Sequence, residues 1–518
     1  MSMRDGQNEI RPGVLYAVAA TATVITAVLL RFQQFSVYPG LNGDEADLAS
    51  RAQDVITLGE GWLTVSGFFA PYALALSALS TPWFDDPLLG VRLPFAIVEL
   101  LGVPVAWVLF RMTTDRTTAL YAALLLLTMP VFMVMSRIAW EPSFVPVASV
   151  LVFSAVLARR FVLASALLLL AMLAHPIIVF IAPIVFLAWA GEIWRHGRIR
   201  SRETLVMIVL GVLVAAAALG AFLLSTTAQT ITASGIEEPV LSVGNIVGFL
   251  KSIGEFASGV RAYESVAGRP PLASVLLHDA VALMVVLLAG LGLLWRLPEQ
   301  AWVILPVLGG LAIGLMAQHL MGGSIAARAE NVRYMLWVSG PLVWCMAQGC
   351  RSLQERVAGV KWGVVGLCAA ALLSFHTHFL QAFSASGGEG MFIYRAHPEG
   401  AEQLALQWLR EHTPLAEGET IQIGVAHVMH TRTLKYLAEA DELDIIDPPR
   451  GIEWNTEEVE RELPPGSYFI VSPYPDPLHS MVFIIPFYLD SQDWAELVHI
   501  IAHPSGAEIL RIYRLGGC

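Results

Sequence analysis

Asp44, Glu45 and Asp47 stand within the string Gly43-Asp44-Glu45-Ala46-Asp47, shortly after the first long apolar segment of a chain that is mostly apolar. Carboxylates at the edge of hydrocarbon are costly to desolvate, so they are kept for chemistry or for binding ions. A carboxylate crowded by others holds its proton more tightly, which suits it to accept a proton from a hydroxyl. The local pattern predicts a helix from about Glu45 to Leu58. Asn42 or Asp44 caps it, Leu48, Ala52, Val55 and Ile56 form its apolar face, and Gly59 and Gly61 end it. Acids in a first turn also suit the helix dipole, so capping alone is the structural alternative. Three acids in four positions exceed what a cap needs.

The elements that must position these acids are membrane elements. Of the 518 residues 56% are apolar and 14% charged, and mean hydropathy is +0.63; soluble domains run near about a quarter charged. Apolar stretches of spanning length begin near Gly13, Val91, Thr118, Pro142, Phe161, Ile177, Thr204, His278, Pro298, Val332 and Trp362. The fold class is therefore a polytopic α-helical membrane protein with about eleven spans. The polar N-terminus carries no cleavage site after a short apolar core, so the first segment reads as an anchor. Arg111 and Arg116, Arg159 and Arg160, Arg195 to Arg202, Arg296, and Arg351 to Lys361 fall in every second connection. The positive-inside bias then puts the N-terminus in the cytoplasm and the C-terminal tail outside. Phe68–Trp83 is apolar but would invert every later basic cluster if it crossed, so it is expected to lie in the interface, inside a long outer loop over about 32–90. Cys345, Cys350 and Cys368 lie in apolar segments, so no disulfide framework is expected.

Residues 385–518 are a different object, with 21 acidic and 8 basic side chains. Helical spacing over Ala401–Leu409, short strands at Ile421–Val425 and Tyr468–Val471, a capping box at Asn455 and Glu458, and a hairpin from Glu496–Ala502 and Glu508–Leu515 predict a soluble α/β domain. Residues 1–384 form the membrane domain. The tail contains no nucleotide loop and no metal cluster, and no nucleic-acid partner is expected.

Asp44-Glu45 after the first span resembles the signature of the GT-C glycosyltransferase superfamily, in particular the branch of protein O-mannosyltransferases and lipid A aminoarabinose transferases. Arg92-Leu93-Pro94 at the second span, Arg137 with Glu141 between the third and fourth, and Arg333-Tyr334 followed by Pro341 appear in that family's order. The resemblance implies transfer of a sugar from a polyprenyl-phosphate donor to an acceptor hydroxyl on a protein, glycan or lipid, by an inverting single displacement on the outer face of the plasma (inner) membrane. It implies Asp44 as base, Glu45 orienting the acceptor or tuning Asp44, and Glu141 as a second acid with helix-start capping as its alternative. Arg328 and Arg333 lie at the outer edge, against the positive-inside trend, and suit bidentate phosphate contacts. Arg137 is a further phosphate candidate or a partner of Glu141. Arg92 either faces the donor or pairs with Asp85 or Asp86. Tyr334 reads as an interface aromatic or a ligand, and His175-Pro176 as a turn opening towards the cavity. No cofactor is expected. A divalent ion held by His278-Asp279, or by His376 with His378, is the alternative.

A transporter or lipid flippase with a cation-binding acidic loop is the other reading of the same residues, and an envelope scaffold a third. A transporter predicts paired repeats and charged or broken segments at the bilayer midplane. The sequence carries no repeat, and its ionisable residues cluster at span ends.

Overall fold

The computed structural model describes residues 12–35, 43–57, 71–84, 86–196, 201–224, 253–259, 263, 272–320, 332–357, 359–381, 401–413, 420–426, 428–438, 443–449, 454, 456–472, 480–502 and 508–516. The domain boundary expected at 385 and most of the polar connections expected at 225–277 and 322–331 lie outside them.

Helix α1 (Pro12–Phe32) is followed by α2 (Gly43–Thr57) and α3 (Pro71–Ser80). The body continues through α4 (Pro87–Thr113), α5 (Arg116–Thr128), α6 (Pro130–Met135), α7 (Val145–Leu157), α8 (Phe161–Met172), α9 (Ala182–His196) and α10 (Ser201–Leu224). After these come α11 (Leu272–Leu320), α12 (Ser339–Gln354) and α13 (Val360–Phe375). Short 3-10 turns at Glu141–Phe144, Pro176–Ile181 and Val332–Val338 interrupt the helical run. Helix α11 merges the two segments expected from His278 and from Pro298; the backbone breaks at Gln300, at φ −123° and ψ 23°. Among the described residues four helices are long and apolar enough to cross a membrane: Gly13–Phe32, Leu88–Thr113, Pro176–His196 and Val360–Leu380.

Helix α3 has ten residues, about 15 Å at 1.5 Å per residue, against about 30 Å of hydrocarbon. It lies against α2 and α4 and buries Ala73, Leu74 and Ser77. Its apolar side is used in packing.

Helices α11 and α12 cross at glycines. A Cβ on Gly349 would sit 1.9 Å from the Leu288 carbonyl oxygen, and one on Gly292 2.3 Å from that of Cys345. Backbone cannot yield as a side chain tip can, so Gly349→Ala is expected to destabilise the body by about 1–3 kcal/mol. A Cβ on Gly366 of α13 would meet nothing within 4 Å, and Gly366→Ala should be near neutral. Thermal unfolding of the two variants in detergent checks the contrast.

One ionisable pair departs from the span-end clustering. Glu99, inside α4, is 2% exposed, and its electrostatic partner is Arg31 of α1, 1% exposed. A buried acid calls for a counter-charge, and Arg31 acts on it electrostatically although Glu99 Oε1 has no hydrogen-bond partner among the described residues.

Among the described residues the tail comprises α14 (Ala401–His412), β1 (Ile421–Val425), α15 (Val428–Leu437), β2 (Leu443–Ile446), α16 (Thr456–Glu462), β3 (Tyr468–Val471), α17 (Ser480–Asp490), β4 (Ala495–Ala502) and β5 (Glu508–Leu515). The sheet order is β2-β1-β3-β5-β4, with β1 parallel to β2 and β3, and the β4–β5 hairpin antiparallel. Successive side chains of β3 serve opposite faces. Tyr468 and Ile470 meet α14 and α15, while Phe469 and Val471 meet α16 and α17.

Candidate functional site

The expected helix over Glu45–Leu58 is α2, and its buried stripe is Glu45, Leu48, Ala49 and Ala52, at i, i+3, i+4 and i+7. Ile56, expected on that face, is instead 44% exposed. The stripe packs with Ala73 and Leu74 of α3, Val91 and Phe95 of α4, and Ala139, Phe144 and Ala174. Tyr436 from tail helix α15 closes the cluster, and burial with the nearby Asp86 carboxylate pushes its hydroxyl up to about 12. The tail is therefore docked on the helix that carries the acids.

Each acid of the string has its own guanidinium. Glu45 and Arg92 are both fully buried and meet edge to edge, Nε to Oε1 at 2.8 Å and Nη2 to Oε2 at 2.7 Å. The backbone N–H of Ala139 donates to the same Oε1 at 2.8 Å, and Arg92 Nη1 donates to the Phe35 carbonyl at 3.3 Å. Asp47 pairs with Arg51 one turn on, at 2.8 Å, on an exposed face. Asp44 faces the tail: Arg432 Nη1 of α15 lies 3.3 Å from its Oδ1, with the two side chains about one-third exposed at 37% and 33%.

The expected partner of Arg92, Asp86, is occupied otherwise. It caps α4, accepting from the N–H groups of Leu88 and Leu89; Asp85 lies outside the described residues. Arg137 is also fully buried, and its two terminal nitrogens donate to four carbonyls: Leu30 (3.2 Å), Arg31 (2.7 Å), Gln33 (2.8 Å) and Gln34 (3.0 Å). These include the last carbonyls of α1, which have no partner within the helix. The guanidinium also stacks near the Phe35 and Phe379 rings, 5.6 and 5.9 Å from their centroids. Arg92 and Arg137 thus take protein partners where the sequence suggested phosphate. Glu45, without accessible surface, is engaged by Arg92 and the Ala139 N–H.

Arg137→Met removes the donors from those carbonyls. A stability loss of about 2–3 kcal/mol is expected, because buried carbonyls left without partners bear the desolvation cost. Arg137→Lys should recover only part, since an ammonium lacks the planar fork. Unfolding of the purified variants measures both.

His175 opens the turn Pro176–Ile181, with Nδ1 accepting from the Ile177 N–H at 3.2 Å. That turn packs against Val332–Val338, which in turn packs against Glu141–Phe144. Ser149 ties the segment to α7, donating to the Trp337 carbonyl at 2.6 Å and accepting from the Gly340 N–H at 3.0 Å. The segments that carry or adjoin Glu141, His175, Arg333 and Tyr334 are accordingly in contact, and Glu141 stands two residues after Ala139, which holds Glu45. The side chains of Glu141, Arg333, Tyr334, His278 and Asp279, and all of Arg328, lie outside the described residues. His376 faces Gln381, and His378 lies by the Tyr263 ring. Among the described residues no three His, Cys, Asp or Glu side chains gather in a metal-binding arrangement.

Arg432 is the residue that sequence reasoning missed. Asp44 and Arg432 are 388 positions apart, and only the docking of α15 on α2 brings them together.

Residues 69–221 match the family model described as dolichyl-phosphate-mannose-protein mannosyltransferase. No curated protein matches the chain in sequence. Among solved structures, ArnT from Cupriavidus metallidurans bound to undecaprenyl phosphate superposes with a TM-score of 0.52 at 12% identity, covering 96% of this chain and 97% of that one. The apo oligosaccharyltransferase of Archaeoglobus fulgidus gives 0.50 at 14% identity, covering 95% and 74%. At such identities the likeness is one of fold.

Proposed function

We propose that this chain, which resembles the GT-C membrane glycosyltransferases in fold and in its match over residues 69–221, transfers a sugar from a polyprenyl-phosphate carrier to an acceptor hydroxyl. The observation that carries the reading is Asp44: a partly exposed carboxylate at the start of a helix otherwise locked by buried contacts, with a guanidinium beside it. ArnT, of similar fold, binds undecaprenyl phosphate.

In this reading Asp44 takes the acceptor proton. The hydroxyl oxygen attacks C1 of the sugar from the face opposite the phosphate. The C1–O bond to phosphate breaks, its electron pair leaves on the phosphate, and the anomeric centre inverts. A phosphate ester leaves readily, so the departing group needs cations more than an acid. Arg328 and Arg333 are proposed to hold it, with Tyr334 and His175 as further candidates and Glu141 as the second acid. Asp44, Glu45 and Asp47 each engage a guanidinium, and no step of this reading runs through a divalent cation. The acceptor is a protein, glycan or lipid. The orientation that goes with this chemistry has the N-terminus in the cytoplasm and residues 385–518 and the site outside, in the inner membrane. About eleven spans and the division at 385 belong to the same proposal.

The test is direct. The purified protein in nanodiscs is incubated with a panel of polyprenyl-phosphate sugars and hydroxyl acceptors, and products are scored by mass spectrometry. Sugar transfer with at least one donor is expected, and uniform absence of product across the panel would remove the assignment.

A further inference from the structure

We infer that Arg432, carried by the tail, bridges Asp44 and the phosphate of the lipid donor, so that the tail contributes a substrate-binding residue to a site otherwise built by the membrane body. The inference rests on the reading given under Proposed function and deepens it by naming a residue that no motif supplies.

Three observations carry it. First, Arg432 meets Asp44 through one nitrogen only, Nη1 to Oδ1 at 3.3 Å, and among the described residues no other group engages its guanidinium. A guanidinium has five N–H donors in a planar fork, so the rest remain for a second anion. Second, the side chain is 37% exposed beside a carboxylate that is 33% exposed, which leaves room for a ligand at the pair. Arg92 and Arg137, by contrast, are fully buried against protein groups. Third, the tail carries 21 acids against 8 bases. Its field disfavours anions arriving from bulk water, whereas a lipid-borne phosphate enters from the membrane side, where the body is close to neutral. On α15 the neighbouring cation Lys435 is held by Asp447 at 2.7 Å, so Arg432 is the cation of that helix turned to α2.

An in-line displacement places the base and the departing phosphate on opposite sides of C1. One guanidinium lying alongside C1 spans both, holding Asp44 in register on one edge and neutralising the leaving oxygen on the other. Docking of the tail and loading of the donor then favour each other.

The experiment uses the full chain in nanodiscs with undecaprenyl phosphate as probe and binding read by tryptophan fluorescence. Arg432→Ala is expected to weaken binding about tenfold, the loss of a charge-assisted contact. Arg432→Lys should retain part of the affinity. Asp44→Asn should bind as well or more tightly, because the carboxylate charge that repels the phosphate is gone, and this opposite sign is not the mark of a merely structural pair. Lys435→Ala, on the same helix, should bind as wild type. Where a sugar donor is in hand, Arg432→Ala should raise the donor KM and leave the acceptor KM unchanged. Arg432→Gln repeats the test if the alanine variant folds poorly. Equal affinity of wild type and the Arg432 variants overturns the inference, as does an equal loss in Lys435→Ala. Displacement of the lipid by inorganic phosphate at like concentration overturns the lipid source, and a rise confined to the acceptor KM overturns the donor assignment. Failure of the wild type to bind undecaprenyl phosphate at all would instead count against the glycosyltransferase reading itself.

Discussion

Asp44→Asn is expected to lower sugar transfer by about 10²–10⁴-fold, the range a positioned proton acceptor contributes, while the protein folds and embeds as before. The substitution keeps the shape of the side chain and removes its charge. Asp44 is not part of the buried lattice: its pairing with Arg432 is one-third exposed, and such pairs contribute little to stability, about 0–1 kcal/mol. The α2 helix is held instead by Glu45, Leu48, Ala49 and Ala52 on its other side. A loss of turnover at unchanged thermal stability therefore isolates the base. Asp47→Asn is the internal control, since Asp47 pairs with Arg51 on the exposed face of the same turn, and a change within a few-fold is expected there. Turnover in Asp44→Asn equal to wild type would move the base to another residue, Glu141 first.

How much of this was readable beforehand follows the range of the interactions. Strands β1 and β3 match the expected segments at both ends because a short apolar alternation or run is a local pattern, and α2 appears within a residue or two of its expected bounds because its helical spacing and caps are local too. The hairpin of β4 and β5 was visible through its turn residues. Helices α15 and α17 and strand β2 were not: α15 mixes its apolar residues with His, Thr and Lys, α17 contains Pro486, and β2 is only four residues long, so tertiary packing decides their state. The role of Arg137 was hidden because its partners are backbone carbonyls, which leave no mark in side-chain type. That of Arg432 was hidden by a separation of 388 positions. Glu45 did carry a signal: it stands at the head of the apolar stripe of α2, a place where an acid must be buried and so must own a cation.

That requirement makes the Glu45–Arg92 pair the second large effect. Removing one member leaves the other charged group without surface or partner, a loss of about 3–5 kcal/mol for a buried pair. Glu45→Leu and Arg92→Met are each expected to fall in that range, read as midpoints of chemical unfolding in detergent. The double variant Glu45→Leu with Arg92→Met should be less destabilised than the sum, because no orphaned charge remains. It should not regain activity. Glu45 also receives the Ala139 N–H, and Arg92 also holds the Phe35 carbonyl, so the pair joins α2, α4, the end of α1 and the segment leading to Glu141. Apolar side chains can fill that volume but cannot fix the angle at which α2 begins. Asp44 precedes Glu45 directly, and an offset of about an ångström at a reacting group costs on the order of 10²-fold. A double variant that unfolds like wild type and also transfers sugar like wild type would show that the buried pair serves stability alone.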